Sequence, residues 1–185
     1  MWEGFSLRWY QAAWRDPQLG EATLNSLIIA FTATALSTAI GTLCAYGLWK
    51  RGAPALSGSL YLSLVTPEIV TGVSLLAFYQ WVFRYLRFEL GLHTVILAHV
   101  AFSLAYVVIV ALAPGIAAAA LLAFTISFDD YVITSMVAGV DSETLPMVIY
   151  AMARRGANPV VNAISALIVL GLGGLVLLSE RLRGR

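Results

Sequence analysis

From Ala22 to Trp49 the chain runs 28 residues with no Asp, Glu, Lys, Arg or His, and Lys50-Arg51 closes the run. As one helix this stretch reaches about 42 Å, more than the roughly 30 Å hydrocarbon core of a bilayer. A chain with such a segment has to bury it in lipid or in a very large core, and 185 residues cannot supply the second. Composition agrees: 60% of the residues are hydrophobic and 11% charged, with a mean hydropathy of +0.85. The fold class this dictates is all-α, an integral membrane helix bundle.

A formal net charge of +1 leaves no electrostatic footprint for nucleic acid. The one cysteine, Cys44, cannot build a disulfide framework or a thiolate metal site, and its apolar surroundings predict a buried, inert thiol. Residues 1–21 lack a basic start followed by an apolar core, so they are not a signal peptide. Phe5, Trp9 and Ala13, with Tyr10 and Trp14, fall at helical spacing there and predict a helix lying in the membrane interface, with a hydrophilic lead-in as the alternative.

The pattern predicts a single transmembrane domain over 1–185, with spans over about 22–49, 55–83, 92–112, 114–128 and 159–179. On the first, Thr34, Ser37, Thr38, Gly41, Thr42 and Ala45 share one side, a small-residue stripe suited to close helix packing. Residues 92–128 carry only His93 and His99 as ionisable groups and are too long for one ordinary span. Two short spans turning at Ala113-Pro114-Gly115 fit, and a single broken helix competes. With the hairpin, the Lys50, Arg51, Arg181, Arg183 and Arg185 side holds five basic residues against six opposite. One long span gives seven against four, so charge by itself leans to the competitor.

Short helices are predicted over 129–157. Ser127 and Asp130 match a capping box for a helix that stops near Gly139. Asp141 and Ser142 can cap the next, with Pro146 in its first turn, Arg154 and Arg155 at its end and Gly156 after it. Asn158-Pro159 opens the last span.

Glu68 is the most informative residue. Following Thr66-Pro67 inside an apolar run, its carboxylate sits near mid-membrane, where a charge costs on the order of 2.5–3.5 kcal/mol and marks a pathway or a pair. Pro67 kinks the helix and leaves carbonyls for neighbours or water to satisfy. A hydrogen-bonded glutamate joining two helices is the structural alternative. Asp129 and Asp130 lie in an otherwise apolar stretch. Adjacent side chains on a helix point about 100° apart, so one can cap a helix while the other faces a cavity. Glu68, Asp129 and Asp130 together suit a cation, and Tyr131 adds a cation-π face.

Enzyme constellations are thin. His93 and His99, six apart, do not share a helix face, and no set of metal ligands or cofactor-binding loop accompanies them. The chain has no Walker-type phosphate loop, so nucleotide chemistry belongs to a partner. Gly171, Gly173 and Gly174 read as a close-packing feature.

Four stretches carry a family resemblance: LNSLIIAFTATALSTAIGTLCAYGLW (Leu24–Trp49), TPEIV (Thr66–Val70), LAPGIAAAALLAFTISFDDYVIT (Leu112–Thr134) and TLPMVIYAMARRGANPVVNAIS (Thr144–Ser165). In order and spacing they resemble the inner-membrane permease of spermidine/putrescine-type ABC transporters, over nearly the whole chain. The resemblance implies a second permease subunit, two ATP-binding subunits and an external substrate-binding protein, and alternating access for a small cationic solute. It also implies that Lys50-Arg51 and the C-terminus face the cytoplasm. Family members begin with one more span, and between the equivalents of spans three and four they carry a cytoplasmic loop with a Glu-Ala-Ala motif that docks into the ATPase. Here AYVVIVALAPGIAAAA runs straight through, so no ATPase-coupling residues are identifiable. Two rival expectations follow: a non-coupling fragment of such a permease, or a self-contained small cation channel or secondary carrier.

Overall fold

Asp16 and Pro17 start the longest helix. The Asp16 carboxylate accepts the N–H groups of Gln18 (3.0 Å) and Leu19 (3.4 Å), and Pro17 occupies the first helical position, where its missing donor costs nothing. The computed structural model describes residues 6–52, 54–111, 115–156 and 158–183. In chain order the helices are α1 (Arg8–Arg15), α2 (Pro17–Arg51), α3 (Pro54–Val65), α4 (Glu68–Leu86), α5 (Leu92–Ala111), α6 (Ile116–Asp129), α7 (Val132–Val137), α8 (Leu145–Arg154) and α9 (Pro159–Arg183), with no strand among the described residues. Three of them, α2, α4 and α5, are long and apolar enough to cross a membrane, and α6 is a shorter apolar helix. The all-α membrane bundle stands.

The chain divides into two compact units, Glu21–Met147 and Met1–Gly20 with Val148–Arg185. In the first, Ile29, Tyr79, Val95, Ala98, Phe102, Ile133 and Val137 form a buried apolar cluster drawn from α2, α4, α5 and α7. A second cluster joins Val107 of α5 to Ala119 and Ala123 of α6. Ser103 meets Ser127 at 3.3 Å in the same pairing, so α5 and α6 run antiparallel with their small residues facing. The connection at Leu112–Pro114 lies outside the described residues.

Two glycines set how closely the helices approach. A Cβ added at Gly41 of α2 would sit 2.5 Å from Val107 Cγ1, and one at Gly72 of α4 would sit 3.2 Å from Met136 Cγ. The stripe on α2 therefore serves two surfaces. Ser37, Gly41 and Ala45 are buried, while Thr34, Thr38 and Thr42 line a groove shared with Ile116 and Ala120 of α6. Gly41→Val is expected to lower stability by roughly 1–3 kcal/mol through overpacking. The control is Gly47→Val, since an added Cβ there meets nothing within 4 Å. Thermal melting of the purified protein in detergent compares the two. Cys44 corrects its expectation: it lies exposed on α2, because it falls off the face that packs inward.

Three local expectations also change. The predicted span 55–83 is broken rather than kinked: α3 ends at Val65, Pro67 is extended (φ −60°, ψ 133°), and α4 begins at Glu68. Ser127 does not cap α7, because its hydroxyl is taken by Ser103, and Asp130 supplies the cap by itself. Nor do Asp141 and Ser142 cap α8. Ser142 closes a turn on Gly139 (2.7 Å), while the Leu145 N–H is accepted by Ser26 Oγ of α2 at 2.8 Å. Asn25, beside it, donates to the Asp141 and Glu143 carbonyls (3.2 and 3.0 Å), so α2 holds the whole 141–145 segment.

In the second unit α1 packs against α9. The Asn158 side chain accepts the Val160 N–H at 2.9 Å and starts α9 at Pro159, as its sequence predicts.

Candidate functional site

Pro67 decides where Glu68 sits. Lacking an N–H and disfavouring helix in the residue before it, Pro67 ends α3, and Thr66 turns its hydroxyl back onto the Leu62 carbonyl at 3.0 Å. The next helix restarts at once, with the Pro67 carbonyl accepting the Thr71 N–H at 3.1 Å. Glu68 is thus the first residue of α4, where the helix dipole favours a negative charge, and its side chain is exposed. At 1.5 Å per residue, about 18 Å of α3 and about 28 Å of α4 flank it, so the break falls well inside the apolar run. Among the described residues no hydrogen bond or ion pair holds the Glu68 carboxylate.

The aspartate pair is split by a second break. Asp129 is the last residue of α6 and is exposed, while Asp130 is extended (φ −67°, ψ 126°) and turns inward. The Asp130 carboxylate accepts the N–H groups of Ile133 (3.3 Å) and Thr134 (2.8 Å) and the Thr134 hydroxyl (2.9 Å). The Asp130 side chain, only 4% exposed, thus caps two of the N–H groups at the start of α7. Tyr131, half-buried, is the residue that precedes α7. Neither Glu68 nor Asp129 is joined to Asp130 by a hydrogen bond or ion pair among the described residues.

Sequence reasoning did not bring His99 and Thr134 into this site. His99, fully buried on α5, places Nε2 2.9 Å from Thr134 Oγ1 and 3.5 Å from Asp130 Oδ2. Thr134 has one hydroxyl hydrogen, and Asp130 takes it. Facing His99, its oxygen is therefore an acceptor, and Nε2 carries the proton. The spacing Asp130–Thr134, one helical turn, was legible in the sequence, but nothing local pointed to a histidine 31 residues upstream. Tyr79 and Thr94 complete the lattice: the tyrosine hydroxyl donates to the Thr94 carbonyl (3.1 Å), and Thr94 Oγ1 lies 2.8 Å from the Val137 carbonyl. No group of three or more His, Cys, Asp or Glu suited to a metal occurs among the described residues.

Among the described residues the arrangement offers two carboxylates without protein partners, Glu68 and Asp129, each at a helix end within apolar helices. A third, Asp130, fixes one of those ends through α5 and α7. Unpaired carboxylates in such surroundings attract a cation more strongly than in water.

No family model matches the chain. Among curated proteins it is 34% identical to the spermidine/putrescine transport system permease protein PotC of Haemophilus influenzae, over 97% of this chain and 82% of that protein. It is 30% identical to PotC of Escherichia coli K12, over 100% of this chain and 81% of that protein. The putrescine transport system permease protein PotI of the same strain is 33% identical, over 95% and 76% respectively. The alignment with Escherichia coli PotC runs over 220 positions and holds all 185 residues of this chain, so about 35 positions inside it have no counterpart here. Identity at this level, over nearly the full chain and most of each relative, places the chain in the family of spermidine/putrescine transport system permeases.

Proposed function

We propose that this chain is the permease subunit of an ABC importer and forms part of the pathway by which a small cationic solute, a polyamine, crosses the bacterial inner membrane. It acts as one transmembrane permease domain beside a second permease subunit, two ATP-binding subunits and an external substrate-binding protein. Glu68 and Asp129 present their carboxylates to the solute, Tyr131 adds an aromatic face, and Asp130 holds the α6–α7 break that aims Asp129. ATP hydrolysis resides in the partner subunits.

One observation carries this reading: the Glu68 carboxylate stands at the broken α3–α4 junction of an apolar run, and among the described residues no protein group neutralises it. Transporters use such interrupted helices at mid-membrane to line a substrate site. The test is uptake of labelled spermidine and putrescine by polyamine-starved cells that express the chain with its partner subunits. Uptake that needs this chain and ATP supports the reading, and uptake abolished only by an uncoupler opposes it.

The aligned positions of Escherichia coli PotC that have no counterpart here, about 35 of them, favour a second reading, a non-coupling permease fragment that associates with intact permease subunits without engaging the ATP-binding subunits. Copurification separates the two. An ATP-binding subunit retained on the tagged chain through detergent extraction supports the coupled importer, and its loss supports the non-coupling form. Sidedness is a further expected result: a cysteine at Lys50, in a Cys44→Ser background, reacts with an impermeant thiol reagent only after the membrane is opened.

A further inference from the structure

Helix α1 is short, basic and aromatic, with the sequence RWYQAAWR, and it packs against α9. Beside it lies a groove of about 370 Å³ lined by Trp9, Met152, Arg155, Gly156, Asn158 and Pro159. Arg154 is engaged with the Tyr150 ring, its guanidinium 5.7 Å from the ring centroid, and Arg8 lies 4.7 Å from that of Trp9. Arg155 is different. It is exposed, and among the described residues no carboxylate, ring or hydrogen bond engages its guanidinium. Asn158 turns its carbonyl oxygen to the Val160 N–H, which leaves its amide N–H groups as donors on the groove. The polar side chains lining this groove, Trp9, Arg155 and Asn158, thus offer it donors and no carboxylate.

Its depth in the membrane follows from the chain. Just past α1, Pro17 opens the 35-residue apolar helix α2, and Pro159, on the groove itself, opens α9. The groove therefore lies where two apolar helices leave the hydrocarbon, at headgroup level. Trp14, 90% exposed, and the exposed Tyr10 belong to the same layer.

We infer that this groove is a binding site for the phosphate of a bilayer phospholipid, an anionic one such as phosphatidylglycerol, with Arg155 and Asn158 as its donors. A guanidinium presents paired N–H groups that fit a phosphate, and one without a protein counter-ion gains most from an anion there. The site is independent of the polyamine reading, since it needs neither Glu68 nor the aspartates.

The test is lipid retention. The full chain is extracted from membranes of equal phosphatidylglycerol and phosphatidylcholine content, purified in mild detergent, and its bound lipid is measured by mass spectrometry. Phosphatidylglycerol is expected to be enriched, and Arg155→Gln to reduce it about fivefold, the factor one basic residue near an anionic surface provides. Arg87→Gln, in the other unit, is the control and keeps the enrichment. The inference is overturned if Arg155→Gln retains as much as the parent, or if phosphatidylcholine is held equally. It is also overturned if millimolar glycerol phosphate strips the lipid, which would mark a site for soluble anions or for an acidic partner protein.

Discussion

Glu68→Gln lowers polyamine uptake by about 10- to 100-fold while the protein still inserts and assembles. A hydrogen bond to a charged group contributes roughly 1.5–3 kcal/mol, and each 1.4 kcal/mol is tenfold in binding. Removing the charge while keeping the shape isolates that contribution. Insertion and stability should hold, because the carboxylate has no partner to lose among the described residues and a neutral side chain is cheaper in the bilayer. Uptake at equal expression measures the effect, and a variant that transports as well as the parent removes Glu68 from the pathway. Asp129→Asn should follow the same pattern more weakly, because this residue stands at a helix C-terminus, where the dipole already opposes its charge.

Asp130 predicts the opposite division. Asp130→Ala should lower stability by roughly 2–4 kcal/mol, because it removes the cap of α7 and leaves the Thr134 hydroxyl and two backbone N–H groups without their acceptor. Loss of yield and a lower melting temperature in detergent are the expected signs. Asp130→Asn keeps one acceptor oxygen in place and should recover much of the loss. His99→Ala should behave like Asp130→Ala with a smaller effect, since the cap itself survives. Two neighbouring aspartates are thereby separated by experiment: one change acts on transport, the other on folding.

How much of this was legible in the sequence depends on how local the cause is. The all-α membrane class, the long helix over Ala22–Trp49 and the start of α9 at Asn158-Pro159 follow from charge-free length and proline chemistry, which act within a few residues. The break at Pro67 was legible as a disturbance but not in degree. A proline can kink a helix or end it, and packing decides which. Where a helix is completed from far along the chain, local reading failed. Ser26 caps α8 from 119 residues away, and Ser103 withdraws Ser127 from its predicted capping box. The aspartate pair shows both cases at once. That one could cap while the other points in a different direction followed from helix geometry, whereas the choice of Asp130 for the capping role depends on His99, on another helix. Cys44 was misjudged for a related reason: in a membrane helix an apolar neighbourhood in sequence does not distinguish the lipid-facing side from the packed side.

The central claim is that the carboxylate of Glu68 lines a water-accessible cation path within the bilayer. Thr71 lies three residues on, on the same face of α4, and leaves Glu68 intact for the test. A Thr71→Cys variant in a Cys44→Ser background, assembled with its partner subunits, is treated with a cationic thiol-specific reagent, and the modification rate is followed with and without spermidine. The account predicts modification from the aqueous phase and a slower rate in spermidine. A cysteine that resists the reagent from both sides of the membrane, yet is readily quenched by a lipid-borne probe, would contradict it.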